Sequence, residues 1–123
     1  MSKKSDFISG FKFAIRGVSV FFKSERNARM HLAATLIVVL MGLTLKVSLI
    51  EWSLLTLTIA LVLTAEAINT AIENLVDMVS PERKPQAGLI KDISAGAVLI
   101  SALGAAIVGL IIFGPKIIDW FNQ

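Results

Sequence analysis

Cysteine is absent from this 123-residue chain, which excludes both a disulfide framework and a thiolate metal site. Histidine occurs once, at His31, so no imidazole cluster is available to a metal, and there is no Ser-His-Asp pattern. There is no Gly-x-x-x-x-Gly-Lys-Ser/Thr loop and no Gly-x-Gly-x-x-Gly turn, so any nucleotide must be held in another way. Charge is scarce, at 17% of residues, and it is unevenly placed. The N-terminus does not read as a signal peptide, because charges interrupt its apolar residues and no small-residue cleavage site follows.

What remains is apolar. Hydrophobic residues make up 55% of the chain and mean hydropathy is +0.78, with the apolar residues gathered in long blocks. That pattern predicts one small all-α integral membrane domain over residues 1–123 rather than a soluble one. Phe7, Phe11, Ala14, Ile15, Val18, Phe21 and Phe22 recur at helical spacing, with Lys12, Arg16, Ser19 and Lys23 on the opposite side. Residues 6–24 therefore read as an amphipathic helix lying in the membrane interface. The apolar run from His31 to Ala65 is too long for one crossing of about 20 residues. Lys46, Glu51 and Trp52 mark a water interface inside it, giving a first span over 31–49 and a second over 52–79. Ser80–Gln86 is a polar connection with two prolines, and a third span covers 91–113. Gly114-Pro115 is expected to stop that span, leaving Lys116–Gln123 as a short amphipathic tail.

The net charge of +3 arises mostly from Lys3, Lys4, Lys12, Arg16, Lys23, Arg26 and Arg29. Beside membrane spans this basic start indicates orientation and anionic lipid rather than nucleic acid. Arg83, Lys84 and Lys91 flank the second connection, whereas Lys46 and Lys116 stand alone. By the positive-inside rule the N-terminus and the second connection face the cytoplasm, in the cell (inner) membrane. Ala97, Ser101, Ala105 and Gly109 form a small-residue ridge on the third span. Such ridges allow close helix approach, and three spans alone shield little, so a symmetric homo-oligomer is expected.

The chemistry is concentrated in Leu61–Val79, LVLTAEAINTAIENLVDMV. At about 100° per residue, Glu66, Asn69, Glu73 and Asp77 fall within an arc of about 80° on one helix face. An ionisable group at membrane depth costs about 2.5–3.5 kcal/mol on insertion scales, so it is kept for a partner, a metal or a substrate. Oxygen donors of this kind suit Mg²⁺, which prefers one or two carboxylates completed by substrate phosphates. Glu66 is the deepest acid and is suited to proton transfer. Glu73 could hold metal, Asn69 could orient ligand oxygens, and Asp77 faces water at the helix end. The same acids could instead pair with Arg or Lys across an oligomer. Lys91 could anchor at the interface, Asp92 could cap the third helix, and Glu25 alone reads as a surface acid. His31 reads as an interfacial or packing residue.

The string Glu66-Ala67-Ile68-Asn69-Thr70-Ala71-Ile72-Glu73-Asn74-Leu75-Val76-Asp77, followed by Lys91-Asp92-Ile93-Ser94-Ala95-Gly96-Ala97-Val98, closely resembles the small prokaryotic diacylglycerol kinase/undecaprenol kinase family. The likeness extends over nearly the whole chain. It implies a homotrimer with active sites shared between protomers at the cytoplasmic interface. It implies transfer of the γ-phosphate of MgATP to a membrane lipid alcohol. On this resemblance Glu66 is the general base, and Glu25 and Glu73 ligate the divalent metal. Asn69, Asp77, Lys91 and Asp92 bind nucleotide, and Lys84 lies near the adenosine end. Proteobacterial diacylglycerol kinases of the family have an acid where His31 stands, an arginine and a tyrosine where Asp6 and Phe13 stand, and a serine at Ala95. Glu25-Arg26-Asn27, His31, Ile50-Glu51-Trp52 and Ile111–Lys116 look more like the undecaprenol kinase branch. Undecaprenol is therefore the first expected substrate and diacylglycerol the second. A small proton-coupled transporter using Glu66 is the alternative from another class. Its site should lie near the midplane, whereas these acids crowd one side.

Overall fold

The computed structural model describes residues 3–123. Its elements are four helices: α1 Lys3–Ser24, α2 Arg26–Thr44, α3 Leu49–Val79 and α4 Pro85–Phe121. Three of them, α2, α3 and α4, are long and apolar enough to cross a membrane. The helix α1 is almost wholly exposed and packs chiefly on α2, so its residues gain little from burial within one chain. The break between α1 and α2 is a single extended residue, Glu25, at φ −101° and ψ 121°. Arg29 bridges it, its guanidinium donating to the carbonyls of Phe22 at 3.3 Å and Lys23 at 2.8 Å, which satisfies the end of α1.

The turn from α2 to α3 is tight. Lys46 sits at φ 53°, in the left-handed region, and the Val47 N–H donates to the Gly42 carbonyl at 3.1 Å. Ser48 opens α3 with a capping box: the Glu51 N–H donates to Ser48 Oγ at 3.2 Å, and the Ser48 N–H donates to Glu51 Oε2 at 2.7 Å. At this end the bundle has its core, where Val47, Leu55, Ile112 and Phe113 are buried together. Gly42 is buried under the indole of Trp52, so closely that a Cβ there would run into the ring.

Several helix ends differ from those the sequence predicts, whereas α1 ends at Ser24 and α3 at Val79 as expected. α2 begins at Arg26 and stops at Thr44, and α4 begins at Pro85. Proline at the first helical position gives up an N–H that has no partner there anyway. Gly114-Pro115 does not end the last helix, which runs through to Phe121. Tertiary packing overrides the breaker: Ile112 and Phe113 are held in the core, and one residue beyond the proline Lys116 Nζ pairs with Glu51 Oε2 at 3.3 Å. The main packing of the molecule is the antiparallel pair α3 and α4, with α2 leaning on α3.

Candidate functional site

The helical register of α3 sets the site. With a rise of 1.5 Å per residue, Glu66 lies about 20 Å below Val79 and the 80–84 connection, while Asp77 is in the last turn. The face carrying Glu66, Asn69, Glu73 and Asp77 is turned toward α4. Exposure grows along it toward the connection. Glu66 is 3% exposed and Asn69 7%, Glu73 is half-buried, and Asp77 is exposed.

The bonds follow that gradient. The Asn69 side-chain amide donates to Glu73 Oε1 at 3.4 Å, which leaves the other carboxylate oxygen of Glu73 free for a ligand. Asn69 Oδ1 is buried without a partner. Lys91, one and a half turns into α4, forms an ion pair with Asp77 and so draws its ammonium onto the acidic face. An ammonium has three donors, so the pairing leaves two for another anion. Glu66 makes no hydrogen bond or ion pair among the described residues. A carboxyl left unpartnered in a helix apolar enough to cross a membrane is costly and is retained for something else.

Other residues singled out from the sequence are not gathered here. Asp92 follows Lys91 but is exposed on another side of α4. Glu25 sits at the α1–α2 junction, half-buried, with no side-chain cap bond. Lys84 is the residue before α4 and borders a groove with Val76, Val79 and Ile90. His31 lines an apolar cavity of about 220 Å³ between α2, α3 and α4, beside Thr35 and Val62. Among the described residues no group of three acidic or histidine side chains converges as a metal site. A Mg²⁺ completed by substrate phosphates needs fewer protein ligands, and the free oxygen of Glu73 suits that donor set.

Sequence reading passed over Ser94. It is 7% exposed on α4, and its Oγ is buried without a partner. In the sequence it is one serine in a helix of small residues, with no spacing that marks it. The small-residue ridge also proves to be divided. Ser101 is buried, its hydroxyl returned to the Val98 carbonyl at 2.8 Å, while Ala97 is exposed.

A family model described as prokaryotic diacylglycerol kinase matches residues 12–113. A Bacillus subtilis (strain 168) protein named undecaprenol kinase is 39% identical over 111 residues, covering 90% of each chain. A Synechocystis protein named diacylglycerol kinase is 36% identical over 110 residues, 89% of this chain and 63% of its own length. The Escherichia coli (strain K12) diacylglycerol kinase is 32% identical over 95 residues, 77% of this chain and 78% of its own length.

Proposed function

The chain belongs to the prokaryotic diacylglycerol kinase family and is a lipid kinase, and we propose that it transfers the γ-phosphate of MgATP to undecaprenol, giving undecaprenyl phosphate. The observation that carries the mechanism is the graded face of α3, from buried, unpaired Glu66 to exposed Asp77 drawn to Lys91. The first supplies a base where the lipid is, and the second supplies charge where the phosphates are.

In this reaction the lipid hydroxyl oxygen bonds to the γ-phosphorus while the bond from that phosphorus to the β–γ bridging oxygen breaks. ADP leaves, and the hydroxyl proton passes to the Glu66 carboxylate. Glu73 and Glu25 would hold Mg²⁺, which would neutralise phosphate charge. Asn69 fixes the Glu73 carboxylate through its amide. Lys91, aimed by Asp77, holds phosphate oxygens, and Asp92 and Lys84 hold the nucleoside end. Positioning and charge neutralisation are what phosphoryl transfer chiefly needs. The helix α1 lies in the headgroup layer on its phenylalanine face, with the N-terminus and the site on the cytoplasmic side of the cell membrane. The chain works as a homotrimer, with its sites between protomers.

The 39% identity to the undecaprenol kinase supports a polyprenol acceptor. The diacylglycerol kinase relatives support diacylglycerol as the second reading. Competition separates them. Purified protein in mixed micelles receives labelled MgATP with equimolar undecaprenol and diacylglycerol, and the lipid products are resolved. Undecaprenyl phosphate as the main product is the expected result. Mainly phosphatidic acid would move the enzyme to glycerolipid phosphorylation.

A further inference from the structure

Hydroxyls on these helices are generally returned to the backbone. Thr35, Thr44, Ser53, Thr56 and Thr58 each donate to the carbonyl four residues earlier, and Ser101 to the one three residues earlier. Ser94 makes no such bond, although it is among the most buried polar residues. Among the described residues, its Oγ and Asn69 Oδ1 are the side-chain atoms closed off from solvent with no hydrogen-bond partner. Polar atoms buried in this way are nearly always paired, so each asks for a partner close by.

The two atoms lie in register. α3 and α4 run antiparallel, and along their seam Ala65 stands with Ala97 and Ile72 with Ile90. From Ala65 to Ile72 is about two turns of α3, and from Ile90 to Ala97 about two turns of α4. Asn69 falls in the middle of the first stretch and Ser94 in the middle of the second. Both residues are therefore buried at one level of the seam. Lys91, about one turn from Ser94, already serves the acidic face of α3 by pairing with Asp77.

The pair is also complementary in chemistry. A carboxylate only accepts, so it is the Asn69 amide nitrogen that turns to Glu73, donating to Oε1 at 3.4 Å. The end left over is the amide oxygen, which asks for a donor. The Ser94 hydroxyl carries one, and it is given to no backbone carbonyl. Turned over, the amide would set Oδ1 against the Glu73 carboxylate, acceptor against acceptor. At 3.4 Å the amide–carboxylate bond is long for its kind and restrains the amide weakly. A second bond, on Oδ1, gives the amide a single orientation.

We propose that the Ser94 hydroxyl donates to Asn69 Oδ1, directly or through one water, and that Ser94 is thereby a positioning residue for Glu73. It holds the amide, the amide holds one carboxylate oxygen, and the other oxygen keeps one direction toward a divalent ion. The inference rests on the reading of Glu73 as a metal-holding carboxylate of a lipid kinase.

Two measurements on the full-length protein in micelles test this, one without metal or nucleotide and one under turnover. The first is a thermal double-mutant cycle. Ser94→Ala is expected to lower the melting temperature of the parent protein and to leave that of Asn69→Ala unchanged, since the oxygen it serves is gone. Equal drops in both backgrounds would overturn the bond. The second measurement titrates Mg²⁺ at fixed ATP. Ser94→Ala raises the half-saturating Mg²⁺ about three- to tenfold, the loss of one hydrogen bond, with KM for the lipid alcohol unchanged. Ser94→Thr, which keeps the hydroxyl, restores most of the difference, and Ser94→Cys, a weaker donor, falls between. An unchanged Mg²⁺ requirement in Ser94→Ala would leave a bond that serves the fold alone and overturn the positioning role. A raised alcohol KM with parent-like Mg²⁺ dependence would also overturn it, assigning the hydroxyl to the acceptor. Absence of any lipid phosphorylation by the parent protein would sink the kinase reading and the positioning role with it, while the thermal cycle still decides the bond.

Discussion

Glu66 is the residue on which the chemistry turns. It is buried to 3% exposure in a helix apolar enough to cross a membrane, and nothing among the described residues neutralises it. Removing its charge while keeping its shape should therefore cost the fold nothing. Glu66→Gln is expected to leave assembly and nucleotide binding intact and to lower lipid phosphorylation by about 10²–10⁴-fold, the usual contribution of a positioned base. A near-parent rate in that variant would remove Glu66 from the proton transfer. Asp77 has a different standing. Its pair with Lys91 is part-exposed, and pairs of that kind contribute about 0–1 kcal/mol to stability. Its value lies in where it holds the ammonium.

At the scale of elements, the bundle has its apolar core at the end where α2 turns into α3. The fastening is the α2–α3 turn with its capping box, the Trp52 ring over Gly42, and the Lys116–Glu51 pair. Gly42→Ala is expected to lower thermal stability in detergent by about 1–3 kcal/mol, as overpacking does, and to spare the alcohol and nucleotide affinities. An unchanged melting temperature would mean that Trp52 moves aside freely. The same features explain what the sequence could and could not disclose. Periodicity alone places the acidic face of α3, since four residues at helical spacing need no tertiary information. Composition alone separates the three long apolar helices. It misplaces the end of α4 because Pro115 is a local breaker, whereas Ile112, Phe113 and Lys116 are held by residues more than fifty positions away. It passes over Ser94 for a related reason: an unpartnered hydroxyl is a property of three-dimensional packing, and nothing in the string Lys91-Asp92-Ile93-Ser94 distinguishes it from the bonded Ser101.

At the scale of the molecule, the proposed reading makes the site one shared between copies. Glu25 lies at the junction of α1 and α2, α1 packs chiefly on α2, and among the described residues no group of three acidic side chains converges. The proposed metal site asks for Glu25 beside Glu73, and we propose that this carboxylate is supplied by a neighbouring copy. Long apolar faces on α2, α3 and α4 remain exposed in the single chain, available to lipid and to other copies. Subunit mixing tests this most directly. Glu25→Gln and Glu66→Gln, each inactive as a pure assembly, are dissociated, combined in equal amounts and reassembled. If Glu25 and Glu66 reach a site from different copies, about a quarter of the sites combine two intact halves, and lipid phosphorylation returns to about that fraction of the parent rate. If the mixture stays as inactive as either variant, while a control mixture of parent and variant assembles and works, the shared site is contradicted.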